Sequence, residues 1–250
     1  MTPVVYEFPL NEKVRNYLRV EHLFTALSQP DKICEQHTEI QFFRDYFTLL
    51  ELIERIDLRT ELLRDLASYK SALTAWMTHP HIDIKLIEGQ LELVNTIVMK
   101  LKDSKRVGQE LKSDRFLTAI RQRFSIPGAT CSFDLPKLHF WLYLDNDTKQ
   151  LNFNQWLAPL AVLKDAVATT MEFIRGRSEL NEISVPNGFY QGIADNKVEL
   201  IRVETAKNTQ FYPTLSGNKY RYAVRFMKFT QQDNDSATVD EAVTFLMASC

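Results

Sequence analysis

Apolar residues recur at three- and four-residue intervals up to about Gly176, and at two-residue intervals beyond it. Leu10, Val14, Tyr17, Leu18, Phe24 and Leu27 fall on one side of a helix that follows Pro9. Thr38, with Gln41 three residues on, forms a capping box opening EIQFFRDYFTLLELIERI. Asp57 suits the N-cap of a third helix, which must stop near His79-Pro80 because proline cannot continue it. Asp83 opens a fourth, carrying Ile84, Ile87, Leu91, Val94, Ile97, Val98 and Leu101 and ending at Gly108, with lysines placed favourably against the helix dipole. Ser113 or Asp114 caps RFLTAIRQRF. A last helix is predicted over 154–175, with Pro159 near its first turn and Gly176 at its end.

Two regions follow period two. In residues 130–144, TCSFDLPKLHFWLYL, the residues Leu138, Phe140, Leu142 and Leu144 alternate with Lys137, His139, Trp141 and Tyr143, which predicts a strand. Beyond Gly176, KVELIRVET, QFYPTLSG, KYRYAVRFMKF and ATVDEAVTFLMAS read as strands, with the polar, acidic TQQDNDS between the last two. The fold class is therefore α+β: a helical domain plus a discontinuous β-rich domain, mainly antiparallel sheet. The boundaries expected are 21–115 with 152–178 for the helical domain, and 1–20 with 116–151 and 179–250 for the β-rich one. The helices over 38–77 carry more apolar positions than one buried stripe uses, including Phe42, Phe43, Tyr46, Phe47, Leu49, Leu50, Leu52 and Ile53. That excess predicts a dimer formed through the helical domain.

Composition narrows the function. With 250 residues, 45% of them hydrophobic, the chain can bury a proper core. Thirty basic residues against 32 acidic ones give a formal charge of −2, which argues against a protein that coats nucleic acid or membrane by charge. Only seven glycines occur, which disfavours glycine-rich phosphate loops. Cys34, Cys131 and Cys250 share no close spacing, so neither a disulfide framework nor a zinc site is expected, and a reducing compartment is the natural home. The first ten residues lack the basic and apolar regions of a signal peptide, and no stretch approaches the roughly 18 apolar residues of a membrane helix. A cytoplasmic protein follows as the expectation.

None of GxGxxG, GxxxxGK[ST], HExxH or GxSxG occurs. His79, His81 and Asp83 have metal-ligand spacing but no second ligand cluster, and Asp83 already serves as a helix cap. Cys131 and His139 lie too far apart along one segment to act as nucleophile and base. No catalytic, cofactor-binding or metal residue is assigned. What stands out is local charge. Residues 100–123 hold Lys100, Lys102, Lys105, Arg106, Lys112, Arg115, Arg121 and Arg123 against three acids. Alternation in KYRYAVRFMKF puts Lys219, Arg221 and Arg225 on one face, and Tyr220, Tyr222, Val224 and Phe226 on the core face. Arg15, Arg19 and His22 stripe the first helix. Basic residues interleaved with aromatics suit an acidic, partly apolar peptide or a nucleic-acid strand.

YEFPLNEKVRNYLRVEHL, DRFLTAIRQRFSIPGATCSFDLPKLHFWLYL, NGFYQ and SGNKYRYAVRFM resemble the ZapD family of bacterial cell-division proteins, as does the pair of helices around FFRDYFTLLELIER. The resemblance runs from about Tyr6 to Met227, with departures at 34–37, 146–154 and 231–238. It implies a non-enzymatic homodimer that binds the tubulin-like protein FtsZ, crosslinks and bundles its filaments, and stabilises the division ring at midcell. It further implies that a basic pocket of the β domain receives the C-terminal tail of FtsZ. The basic residues in the matching motifs are Arg19, Arg55, Arg115, His139, Arg221 and Arg225. A nucleic-acid module built on residues 100–123 and KYRYAVRFMKF is the alternative, disfavoured by the net charge and by the lack of any reading motif.

Overall fold

A computed structural model describes residues 3–28, 36–80, 83–103, 113–207, 209–229 and 237–250. The chain forms two compact units, one made of residues 19–170 and the other of residues 1–18 with 171–250. The fold is α+β, with helices and two antiparallel sheets.

Residues 19–170 are helical. The stretch holds most of α1 (Glu12–Leu27), then α2 (Gln36–Arg55), α3 (Leu58–Trp76), α4 (Ile84–Asp103), α5 (Arg115–Phe124), α6 (Pro136–Leu142) and α7 (Asn146–Leu157). A 3-10 turn over Ala158–Leu160 leads into α8 (Ala161–Arg175). Aspartates set the helix starts. Asp57 accepts from the Thr60 N–H, Asp83 from those of Lys85 and Leu86, Asp114 from Phe116 and Leu117, and Asp145 from Thr148. Thr38 lies inside the first turn of α2 rather than at its cap. The Arg59 guanidinium donates to the Lys102 carbonyl, satisfying one of the last acceptors of α4.

The core of this unit is aromatic. Phe42, Phe43 and Phe47 of α2 meet Phe116 and Phe124 of α5, Trp141 of α6, and Phe153 and Trp156 of α7, at ring-centroid distances of 4.3–6.4 Å. Two polar ring edges in and beside this cluster are hydrogen-bonded. Tyr46 Oη donates to the Trp156 carbonyl, and Trp141 Nε1 to Asn152 Oδ1. Phe42, Phe43, Tyr46, Phe47, Leu49 and Leu50 are all buried here. Leu52 and Ile53 are half-buried, so most of the apolar excess on α2 is used inside the unit.

The segment 130–144 corrects the sequence expectation of a strand. Pro136 starts α6, and Leu138, Trp141 and Leu142 are buried at helical i, i+3, i+4 spacing while His139, Phe140 and Tyr143 are exposed. Leucines at both spacings made seven residues compatible with either period, and the neighbouring aromatic core selects the helix. Residues 146–154, one of the departures from the family pattern, lie within α7, where Lys149, Phe153 and Trp156 point inward at i, i+4, i+7. Residues 116–151 accordingly belong to the helical unit, not to the β-rich one. The single helix expected over 154–175 is broken where Pro159, lacking an N–H, sits in the 3-10 turn.

The other unit contains β1 (Val4–Pro9), β2 (Asn181–Val185), β3 (Phe189–Ile193), β4 (Leu200–Thr205), β5 (Phe211–Gly217), β6 (Arg221–Lys228) and β7 (Val243–Ser249). One sheet has the order β1-β4-β7-β2 and the other β3-β6-β5, with every pairing antiparallel. Ile201, Val203, Phe245 and Met247 of the first sheet pack against Tyr222, Val224 and Phe226 of the second. Phe226 and Phe245 stand 5.0 Å apart. Pro213 is tolerated because β5 is an edge strand. Gly192 is required by close approach, since a Cβ there would lie 2.3 Å from the Tyr222 ring. β1 lies in the stretch 1–20 expected in the β-rich domain, though the sequence reading predicts no strand there, and its Tyr6 and Phe8 pack against the core. It pairs with β4 from Val4↔Thr205 to Pro9↔Leu200.

Candidate partner-binding surfaces

Alternation along β6 places its side chains as expected. Tyr222, Val224 and Phe226 are buried, and Arg221 and Arg225 are exposed. β6 is the central strand of its sheet, so each arginine has a cross-strand neighbour on β3, Ile193 for Arg221 and Phe189 for Arg225. The Arg225 guanidinium stands 4.9 Å from the Phe189 ring, a cation–π contact that holds it over the sheet. On the other flank Thr214 faces Arg225, its hydroxyl donating to the Arg225 carbonyl. Between the arginines Ala223 lies level with Gln191 and Ser216, so the middle of this face is low and polar.

The remaining arginines of this unit are all engaged. Arg15 pairs with Glu12 at 3.0 Å, Arg175 with Glu7 at 2.8 Å, Arg177 with Glu199 at 2.8 Å, and Arg202 with Glu7 at 3.1 Å. Among the described residues, neither Arg221 nor Arg225 has a carboxylate partner. The Glu199 carboxyl shows the other extreme. Burial pushes its pKa up, but hydrogen bonds from Lys13, Arg177 and Asn11 hold it below the ordinary glutamate range.

The helical unit distributes the other candidates over three places. Arg19 is exposed on α1. Arg55 ends α2, is paired with Glu51, and lines a groove of about 830 Å³ with Arg44, Phe47, Arg121 and Ile126. Arg121 itself is held bidentately by Glu54 at 3.0 and 3.2 Å. Arg115 opens α5, and α5 packs against α6, with the Lys137 ammonium 5.3 Å over the Phe116 ring. His139 lies exposed on α6, with its ring 5.1 Å from that of Tyr143. Arg115 and His139 are thus on neighbouring helices, and α6 also exposes the ring of Phe140, with Tyr143 at its end.

The basic run over 100–123 is less uniform than its sequence. Arg121 and Arg123 are paired with Glu54 and Asp134, and Lys105, Arg106 and Lys112 lie outside the described residues. Of the His79, His81 and Asp83 cluster, His81 also lies outside them, and Asp83 caps α4. Among the described residues no helix is long and apolar enough to cross a membrane. Pattern reading missed Phe189 and Ile193 because NGFYQGIAD is short and interrupted by glycine. The alternation Phe189, Gln191, Ile193 is the signal that could have found them.

A family model described as ZapD, cell division protein, matches residues 18–225. The chain belongs to the ZapD family. The cell division protein ZapD of Shewanella oneidensis is 38% identical to it over 250 residues, covering the whole of both chains. The chain is therefore a member of a family of cell division proteins, and all six candidate residues fall within the span that matches the ZapD model.

Proposed function

We propose that the protein is a non-enzymatic cell-division factor that binds the C-terminal tail of FtsZ and, as a homodimer, crosslinks and bundles FtsZ filaments at the midcell ring in the cytoplasm. The observation that carries this reading is the pair Arg221 and Arg225, exposed on one sheet face without carboxylate partners among the described residues while the other arginines of the unit are all paired. Such a face attracts an acidic segment, and each exposed charge pair contributes roughly 0–1 kcal/mol. One face alone binds weakly. Two faces on a dimer, engaging a polymer, gain roughly a hundredfold or more through effective concentration. Arg19, Arg55, Arg115 and His139 are proposed as further contacts with the partner.

For the dimer, the apolar side chains left outside the core are the relevant ones. Leu86 and Leu93 of α4, seven residues and two turns apart, are exposed on one helix face in the helical unit. The deciding experiment is sedimentation of FtsZ polymers with this protein, using FtsZ with and without its tail. Pelleting that requires the tail is expected, and equal pelleting without the tail overturns the reading.

A further inference from the structure

We infer that the outer face of the β3-β6-β5 sheet takes an extended acidic segment lying along β6, with carboxylates about four residues apart at Arg221 and Arg225 and an apolar side chain resting on Ile193. The inference rests on the proposed tail binding and adds the form of the ligand and a contact residue. Three observations carry it.

First, β6 is the middle strand, hydrogen-bonded on both sides, so its backbone cannot accept another strand. Recognition has to come from side chains standing on the face. Second, Arg221 and Arg225 share that face at i, i+4, which at about 3.3 Å per residue separates them by about 13 Å. A ligand in the same extended conformation repeats the spacing between its own residues i and i+4. Ala223, Gln191 and Ser216 keep the intervening surface low enough for a backbone to lie there. Third, Ile193 is 89% exposed, the most exposed of the large apolar side chains described, and it is the direct cross-strand neighbour of Arg221. The two arginines are therefore unequal. Arg225 is stacked on Phe189 and fixed in place, whereas Arg221 stands beside an uncovered aliphatic side chain. An acidic residue with an apolar residue two positions from it, on the same face of the extended ligand, fits the Arg221 end, and a carboxylate alone fits the Arg225 end.

The test uses the full-length protein and two synthetic Gly/Ser peptides of identical composition. One carries two glutamates four positions apart with a leucine two positions outside the glutamate destined for Arg221, so that all three side chains share one face, and the other has the glutamates adjacent. Calorimetry at low salt is expected to show the spaced peptide binding about fivefold or more tightly than the other. Equal binding, or no measurable binding of either, overturns the inference. Ile193→Ser is expected to weaken the spaced peptide about fivefold at unchanged melting temperature, with Ile193→Leu restoring it, and unchanged binding overturns the Ile193 contact. FtsZ pelleting with and without the tail is scored separately. If pelleting depends on the tail while the peptides are not distinguished, the proposed function stands and this inference fails.

Discussion

Lys149 and Glu39, 110 positions apart, form an ion pair of 2.7 Å inside the helical unit, with side chains 8% and 1% exposed. The ammonium donates a second time to the Leu142 carbonyl at 3.1 Å, which ties α7 to the end of α6, while Glu39 fixes the start of α2. Such a pair contributes little net stability when intact, yet removing one partner leaves a charge buried without compensation.

Lys149→Met is therefore expected to destabilise the fold by about 3–5 kcal/mol, and the double change Lys149→Met with Glu39→Gln to recover most of that loss. Urea unfolding midpoints give the comparison. A single variant within about 1 kcal/mol of the parent would contradict the burial of the pair.

On the β6 face, Arg221→Glu or Arg225→Glu replaces an attractive group with a repulsive one. Each is expected to abolish FtsZ bundling and to change stability by no more than about 0.5 kcal/mol, because both side chains are exposed. Binding by the parent should weaken as salt rises, since exposed pairs are screened over about 10 Å at 0.1 M. Sedimentation of FtsZ polymers beside melting temperature decides it, and full bundling by both variants at moderate salt refutes the mechanism.

Glu199 predicts an acid limb in the stability of the β-rich unit. Its carboxyl titrates lower in the folded state than in the unfolded one, so its stabilisation is complete above the unfolded value of about 4.3 and is lost as pH falls through the folded value. Glu199→Gln should cost about 1–3 kcal/mol at neutral pH by weakening the hydrogen bonds from Lys13 and Arg177, and should flatten the decline below about pH 5. Unfolding midpoints measured from pH 7 down to 3 test the slope.

Leu86→Asp combined with Leu93→Asp is expected to shift the protein from a dimer to a monomer of 29.1 kDa in light scattering, with melting measured alongside on the monomer. A parent that already scatters as a monomer across a wide concentration range removes the dimer from the proposal, and with it the bivalent route to bundling.

Much of this was legible from residue pattern. The caps at Asp57, Asp83 and Asp114 and the two faces of β6 followed from local chemistry, since an aspartate before a helical run, or strict alternation, has few other uses. Residues 130–144 failed because Leu138 and Leu142 satisfy both periods over so short a run, and only the tertiary contacts of Trp141 with Phe43 and Phe153 choose between them. Residue pattern places 1–20 in the β-rich domain but does not predict β1 itself, because its alternation is only six residues long and its partner β4 lies nearly the whole chain away. The pairing state of the arginines is likewise a property of the fold. Arg175 and Arg221 look alike in sequence, and only position shows that Glu7 neutralises one and nothing among the described residues neutralises the other.

The pairing of β1 with β4 fixes an order of events during synthesis. Glu7 meets Arg202 across 195 positions, so at roughly 5–20 residues per second β1 leaves the ribosome about 10–40 s before its partner strand exists. The helical unit, residues 19–170, emerges in one uninterrupted stretch during that interval and has every residue it needs to fold first. Val4, Val5 and Tyr6 wait meanwhile as an unsatisfied strand. Ribosome-bound chains stalled once residue 175 has cleared the exit tunnel should therefore already protect the helical unit from protease while residues 3–9 remain cleavable, a translational timetable written into the position of a single six-residue strand.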